Sequence, residues 1–230
     1  MWTLYGSDGS GSAAVEMALL RCGVPFRVQR ASTWEPDSAL AQLRQANPLG
    51  QIPTLQSGDG SVMTETAAIL IHLGLLHPAS ELLPTDATAR AQALRGLVYI
   101  AANCYAAIGI VDYPERWIAN SDSHEQEQLR AGARARLHAC WLVFADGFAT
   151  DQPFLGGSTP SALDLLAAVV SRWSGAGGLL QAERQAMRAL LERVEAEPAL
   201  APVFTRHWPR TAETAEMAET AATVGTRDTP

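Results

Sequence analysis

No two cysteines in this sequence stand close enough to form a redox pair. The three present, Cys22, Cys104 and Cys140, are scattered and make no Cys-x-x-Cys, a distribution expected of reduced, buried thiols. The five histidines have no paired metal-ligand spacing, so no metal site is expected. Positive charge is scarce, with a net charge of −7. A basic face is the electrostatic footprint of nucleic-acid binding, so no nucleic-acid partner is expected. Met1-Trp2-Thr3-Leu4-Tyr5 carries neither the basic nor the apolar segment of a secretory signal. Nor is an apolar run visible at the roughly 18–20 residues that span a bilayer. A cytoplasmic protein without a membrane partner is the expectation. The chain does have an ordinary globular balance: 230 residues, 47% hydrophobic and 18% charged, enough for one large domain or two small ones.

Trp2-Thr3-Leu4-Tyr5 has the look of a strand, and the small-residue loop Gly6-Ser7-Asp8-Gly9-Ser10-Gly11 comes after it. A helix fits from Ser12, its candidate N-cap, to Cys22, with Val15, Leu19 and Cys22 on one face. Gly23 and Pro25 stop it, and Phe26-Arg27-Val28-Gln29 alternates as a second strand. A connection of that length makes the two strands parallel. A second helix is expected from Glu35-Pro36-Asp37 to Ala46, then a hairpin from Ile52-Pro53-Thr54-Leu55-Gln56 and Ser61-Val62-Met63 around Ser57-Gly58-Asp59-Gly60. A helix from Glu65 to Leu76 carries Ile69, Leu73 and Leu76 on one stripe. The order β-α-β-α-β-β-α is thioredoxin-like. Beyond it strand signals vanish, and helices are expected over 89–109, 124–149, 161–173 and 182–195. The fold class is therefore an α+β thioredoxin-like N-terminal domain (1–77), a linker (78–88) and an all-α helical bundle (89–210). The Ala/Thr/Glu-rich tail 211–230 is expected to be disordered.

Three places have the chemistry of a site. Pro53 opens a strand, where it cannot donate to a ladder. Either it marks an edge or turn, or the Ile52–Pro53 bond is cis and presents the Ile52 backbone to an extended peptide. Glu65 and Thr66 begin a helix, where free N–H groups and the dipole attract an anion, although plain capping by Thr64 explains the same residues. About eleven residues and a hairpin separate the two places and bring them to one end of the sheet. A strand-edge clamp beside a carboxylate pocket suits a short acidic peptide. The third place is Gly9-Ser10-Gly11-Ser12-Ala13-Ala14, which fits the dinucleotide pattern. Gln29-Arg30 stand where that pattern needs an acid, and a hairpin replaces the third parallel strand. Hydroxyls at a helix start suit a bound thiolate better. Ser10 is best placed, then Ser12, Ser7 and Tyr5; a Gly/Ser loop without chemistry remains the alternative. Ser161-Ala162-Leu163-Asp164 is a structural capping pattern before an apolar helix with Leu166, Val170 and Trp173 facing inward.

Leu4-Tyr5-Gly6-Ser7, Asn47-Pro48-Leu49-Gly50-Gln51-Ile52-Pro53-Thr54-Leu55, Thr64-Glu65-Thr66-Ala67-Ala68-Ile69, Leu82-Leu83-Pro84-Thr85-Asp86 and Ser161–Asp164 stand in an order that resembles the glutathione S-transferase family across about residues 1–210. The resemblance implies a homodimer that conjugates glutathione, as co-substrate, to small electrophiles by stabilising its thiolate. Ile52 would pair with the cysteinyl part of glutathione, Glu65 and Thr66 would hold its γ-glutamyl end, and Gln51 would reach its carboxylate side. Ser10 would activate the thiol. Tyr105, Tyr113 and Trp117 form a candidate wall for the electrophile, with core packing as the alternative. A non-catalytic glutathione- or partner-binding module and a glutathione-dependent disulfide reductase are the competing readings. Asp8-Gly9 departs from the apolar or proline residues of related loops, and a carboxylate facing the site would oppose a thiolate. Pro160 departs from the usual apolar residue before the capping box.

Overall fold

The structure, a computed structural model, describes residues 1–35 and 37–209. The tail 211–230, Arg210 and Pro36 lie outside the described residues. Strand β1 (Trp2–Gly6) pairs parallel with β2 (Phe26–Arg30), in register from Trp2 opposite Phe26 to Gly6 opposite Arg30. The crossover between them is helix α1 (Ser12–Arg21). Strand β3 (Thr54–Gln56) runs antiparallel to β1, and β4 (Val62–Thr64) runs antiparallel to β3, giving the order β2-β1-β3-β4. The pleat sends successive residues of β1 to opposite faces. Leu4, fully buried, joins the main core with α1 and α3 (Thr66–Leu76), while Tyr5 joins Ala31, Leu43 and Ile52 under α2 (Leu40–Ala46) on the other face.

Helices make up the rest. Helix α4 (Ala87–Tyr99) passes through a π-helical segment, Ile100–Tyr105, into α5 (Ala106–Asp112). After it come α6 (Ser123–Gly147), α7 (Ala162–Val170), α8 (Ala176–Glu183), α9 (Gln185–Ala196) and α10 (Ala201–His207). Every residue of α7 is buried, and its capping box is formed by Ser161 and Asp164 as expected. Leu166 and Val170 are fully buried and Trp173 is half-buried, so the inward face of that helix agrees with the sequence.

Several boundaries differ. Helix α2 starts at Leu40, because Glu35 is drawn instead to Arg30 and to the Ser7 hydroxyl. Gly11, not Ser12, is the N-cap of α1, and Leu76 is 51% exposed at the end of α3 rather than on its buried stripe. The stretch 182–195 is two helices broken at Arg184, and α10 has no counterpart in the expected set. The 26-residue stretch Ala87–Asp112 is long and apolar enough by composition to cross a membrane. It packs instead as a core element: Leu97, Ile100, Cys104 and Ile108 belong to the same buried cluster as α6 and α7.

Helix α10 folds back onto α1. Arg206 and His207 both bond Glu16, a buried α1 carboxylate, with His207 Nε2 at 3.1 Å. Burial works to raise the Glu16 pKa, but the His207 bond and the Arg206 charge outweigh it and hold it below its ordinary 4.5. A carboxyl depressed on folding contributes stability above its unfolded pKa and loses it as pH falls through the folded one. Protection of the amides over 201–207, taken relative to their intrinsic exchange rates, is therefore expected to fall in the wild type as acidification protonates the Glu16 carboxyl. Glu16→Gln should show less of that acid dependence.

Candidate functional site

The chain reaches the sheet through Asn47–Pro53. The Ile52–Pro53 peptide is cis. Asn47 and Thr54, both buried, fix the turn before it: Asn47 Nδ2 donates to the Gln51 carbonyl at 3.1 Å and the Thr54 hydroxyl donates to the same oxygen at 2.8 Å. Asn47 Oδ1 accepts from Leu49 N–H at 3.2 Å, and Gly50 takes the left-handed conformation (φ 63°) that closes the turn. Ladder pairing begins at Thr54, so among the described residues the N–H and C=O of Ile52 have no backbone partner. They are available to an extended ligand. Gln51 beside them is exposed.

Across the hairpin, α3 begins without a side-chain cap. Glu65 is its N-cap at φ 66°, ψ 111°, and Thr66, buried, is its first residue. Thr64 lies in β4, so capping by Thr64 does not account for these residues. A non-glycine residue at positive φ costs of order 1–3 kcal/mol and persists where its surroundings hold it, commonly at ligand sites. Helix α1 also starts uncapped, at Gly11. The two starts meet: a methyl group placed on Gly11 would lie 3.4 Å from Thr66 Oγ1 and would collide with the Tyr105 hydroxyl. The first amides of α1 are already taken, Ser12 N–H by Ser10 Oγ at 3.2 Å and Ala13 N–H by the Ser10 carbonyl at 3.2 Å; what shares one place is the positive dipole ends of two helices, with a tyrosine hydroxyl between them.

The serine loop is buried and internally bonded. Ser10 Oγ lies 2.7 Å from the Ser7 carbonyl and 2.8 Å from Ser12 Oγ, and Ser12 Oγ lies 3.1 Å from the same carbonyl. Ser7 donates to Glu35 at 2.6 Å, while Tyr5 packs in the cluster with Leu43 and Ile52. Asp8 pairs with Arg30 at 3.0 Å, which answers its charge within the loop. The three candidate wall residues have separate surroundings. Tyr105 packs edge-on against Trp173 with centroids 5.5 Å apart, Tyr113 lies under the Arg116 guanidinium at 3.8 Å, and Trp117 is 61% exposed. Among the described residues, no cluster of His, Cys, Asp and Glu could hold a metal ion. The cysteines are free; burial pushes Cys104 up to about 12 and raises Cys22 as well.

Sequence reasoning missed Asn47 and Thr54 as the supports of the clamp. It also missed Gly11 and Tyr105 as the junction of the two helix starts. A buried Asn-Pro turn shortly before a strand was a signal for the first. Nothing local signals the second, which joins the first loop of the sheet to the helical region.

Residues 12–75 match the glutathione S-transferase N-terminal domain. The GST-like protein YncG of Escherichia coli is 29% identical over 209 residues, covering 90% of this chain and 98% of that protein. Mouse glutathione S-transferase theta-3 is 28% identical over 190 residues, covering 80% of this chain and 77% of its own. A Sulfitobacter glutathione transferase homolog, solved with bound glutathione, superposes with a TM-score of 0.77 at 26% identity, over 88% of this chain and 96% of its own. The thioredoxin-like sheet, the helical region behind it and these relatives agree in one respect: the chain is similar to glutathione S-transferases in its N-terminal sequence and in its fold.

Proposed function

We propose that the chain binds glutathione at the Ile52 backbone and the α3 start, and conjugates its sulfur to small electrophiles. The observation that carries this reading is the open Ile52 backbone facing the same end of the sheet as two uncapped helix starts. Ile52 pairs with the cysteinyl part as an added strand, Thr66 and the α3 amides hold the γ-glutamyl end with Glu65 beside them, and Gln51 reaches the carboxylate side. The sulfur then lies at the α1 start, where the dipole favours thiolate. Two hydroxyl protons serve three oxygen contacts among Ser7 O, Ser10 and Ser12. Ser10 donates to the Ser7 carbonyl at 2.7 Å, so donating to the thiolate requires it to exchange that bond for one to sulfur, with Ser12 still donating to the same carbonyl at 3.1 Å. The electrophile would lie toward Tyr113 and Trp117. A homodimer is proposed with it, for which Leu75, Leu76 and Val98 are exposed apolar side chains on α3 and α4.

One observation favours a binding module without turnover: Ser10 is 7% exposed and its hydroxyl is engaged inside the loop. Steady-state conjugation of an aryl halide separates the two. Wild type is expected to turn over, and Ser10→Ala to lose about 100-fold in kcat with little change in KM for glutathione. An unchanged rate removes Ser10 from the chemistry. Binding without any turnover establishes the module.

A further inference from the structure

Tyr105 is the last residue of the π-helical segment. Widening a turn by one residue rotates the side chains beyond it by about 100° relative to an uninterrupted helix. The rotation delivers a side chain from the helical region to the sheet's ligand end, where its hydroxyl lies against Gly11 with Thr66 Oγ1 alongside. Trp173 fixes the ring from the side. The hydroxyl lies beside the Thr66 hydroxyl, which lowers its pKa as a hydrogen-bond partner; the ring is half-buried and lies in the core's packing shell. Burial, with the nearby Glu65 and Asp112 charges adding to it, raises its pKa to about 12 against the opposing effect of the Thr66 hydroxyl. It is therefore an O–H donor throughout the neutral range.

This inference rests on the glutathione reading and deepens it. We propose that Tyr105 donates a hydrogen bond to the α-carboxylate of glutathione's γ-glutamyl residue, making it the residue that selects for that carboxylate. A carboxylate offers two oxygens and about four acceptor sites. The first amides of α3 and the Thr66 hydroxyl reach one side of the place between the helix starts; the Tyr105 hydroxyl and the α1 start close the other. The two hydroxyls, the first amides of α3 and the two positive dipole ends can all serve an anion. Glu65, exposed at the rim, supplies the opposite charge for the adjacent ammonium. A carboxylate without Tyr105 would keep its α3 contacts and lose one charge-assisted bond.

The test is calorimetric titration of wild type and Tyr105→Phe with two ligands: glutathione, and the analogue whose γ-glutamyl group is replaced by 4-aminobutyryl and so lacks the α-carboxylate. Phenylalanine keeps the ring on Trp173, and a thermal melt confirms folding. Tyr105→Phe is expected to weaken glutathione by about 10- to 100-fold, the worth of one hydrogen bond to a charged group. The analogue should bind both proteins alike. Equal losses for both ligands, or no loss for glutathione, overturn the role of Tyr105 while leaving the glutathione reading in place. Failure of the folded wild type to bind glutathione overturns that reading itself, and this inference with it.

Discussion

Asp164→Ala is expected to destabilise the protein by about 3–5 kcal/mol, measured as a lower urea midpoint. Asp164 is fully buried at the start of α7, and its carboxylate accepts from Leu155 N–H at 2.7 Å, Gly156 N–H at 2.9 Å, Ser161 N–H at 2.8 Å and Ser161 Oγ at 2.7 Å. Burial raises its pKa while those four donors work against the rise. Alanine strands three backbone donors, the buried Ser161 N–H and the half-buried Leu155 and Gly156 N–H groups, and a buried donor left without a partner costs about 1–3 kcal/mol. The damage spreads because α7 is buried from end to end and contacts α1, α3, α4 and α9. Asp164→Asn keeps one acceptor oxygen and should fall between the two. A midpoint within error of wild type for Asp164→Ala would show that the loop 155–161 finds other partners.

Gly11→Ala should combine loss of stability with loss of ligand binding. The new methyl collides with the Tyr105 hydroxyl and lies 3.3 Å from Tyr105 Cζ and 3.4 Å from Thr66 Oγ1. Overpacking of this kind costs about 1–3 kcal/mol, and Tyr105 is the group that must move. Adding Tyr105→Phe removes the hydroxyl and should restore most of the stability of Gly11→Ala without restoring glutathione binding. Such a pair is non-additive because the residues share one contact. Additive stability losses in the double variant would show that the clash is relieved elsewhere.

Much of this was legible in the residues. The parallel pair, the hairpin and the buried α7 come from apolar periodicity, and the cis Ile52–Pro53 bond answers a proline that stands where a ladder donor belongs. Capping patterns read well at Ser161–Asp164, where both partners lie three residues apart. They read poorly at α1 and α3, where the N-cap residues are Gly11 and Glu65 and neither makes the side-chain cap that pattern reasoning looks for. Glu35 reads locally as the opening of a helix but is held by Arg30 and Ser7, partners no local pattern contains. The role of Tyr105 was hidden for a related reason. A regular helix through 89–109 gives the wrong direction for its side chain, and the π-helical segment that corrects it has no signature in the residues.

The most direct measurement is calorimetric titration of the folded wild-type chain with reduced glutathione, beside retention on immobilised glutathione. Saturable binding of one glutathione per chain, weakened by competition from the immobilised form, is the expected result. No heat of binding and no retention, from a protein whose thermal melt shows it folded, would contradict a glutathione site at Ile52 and Thr66.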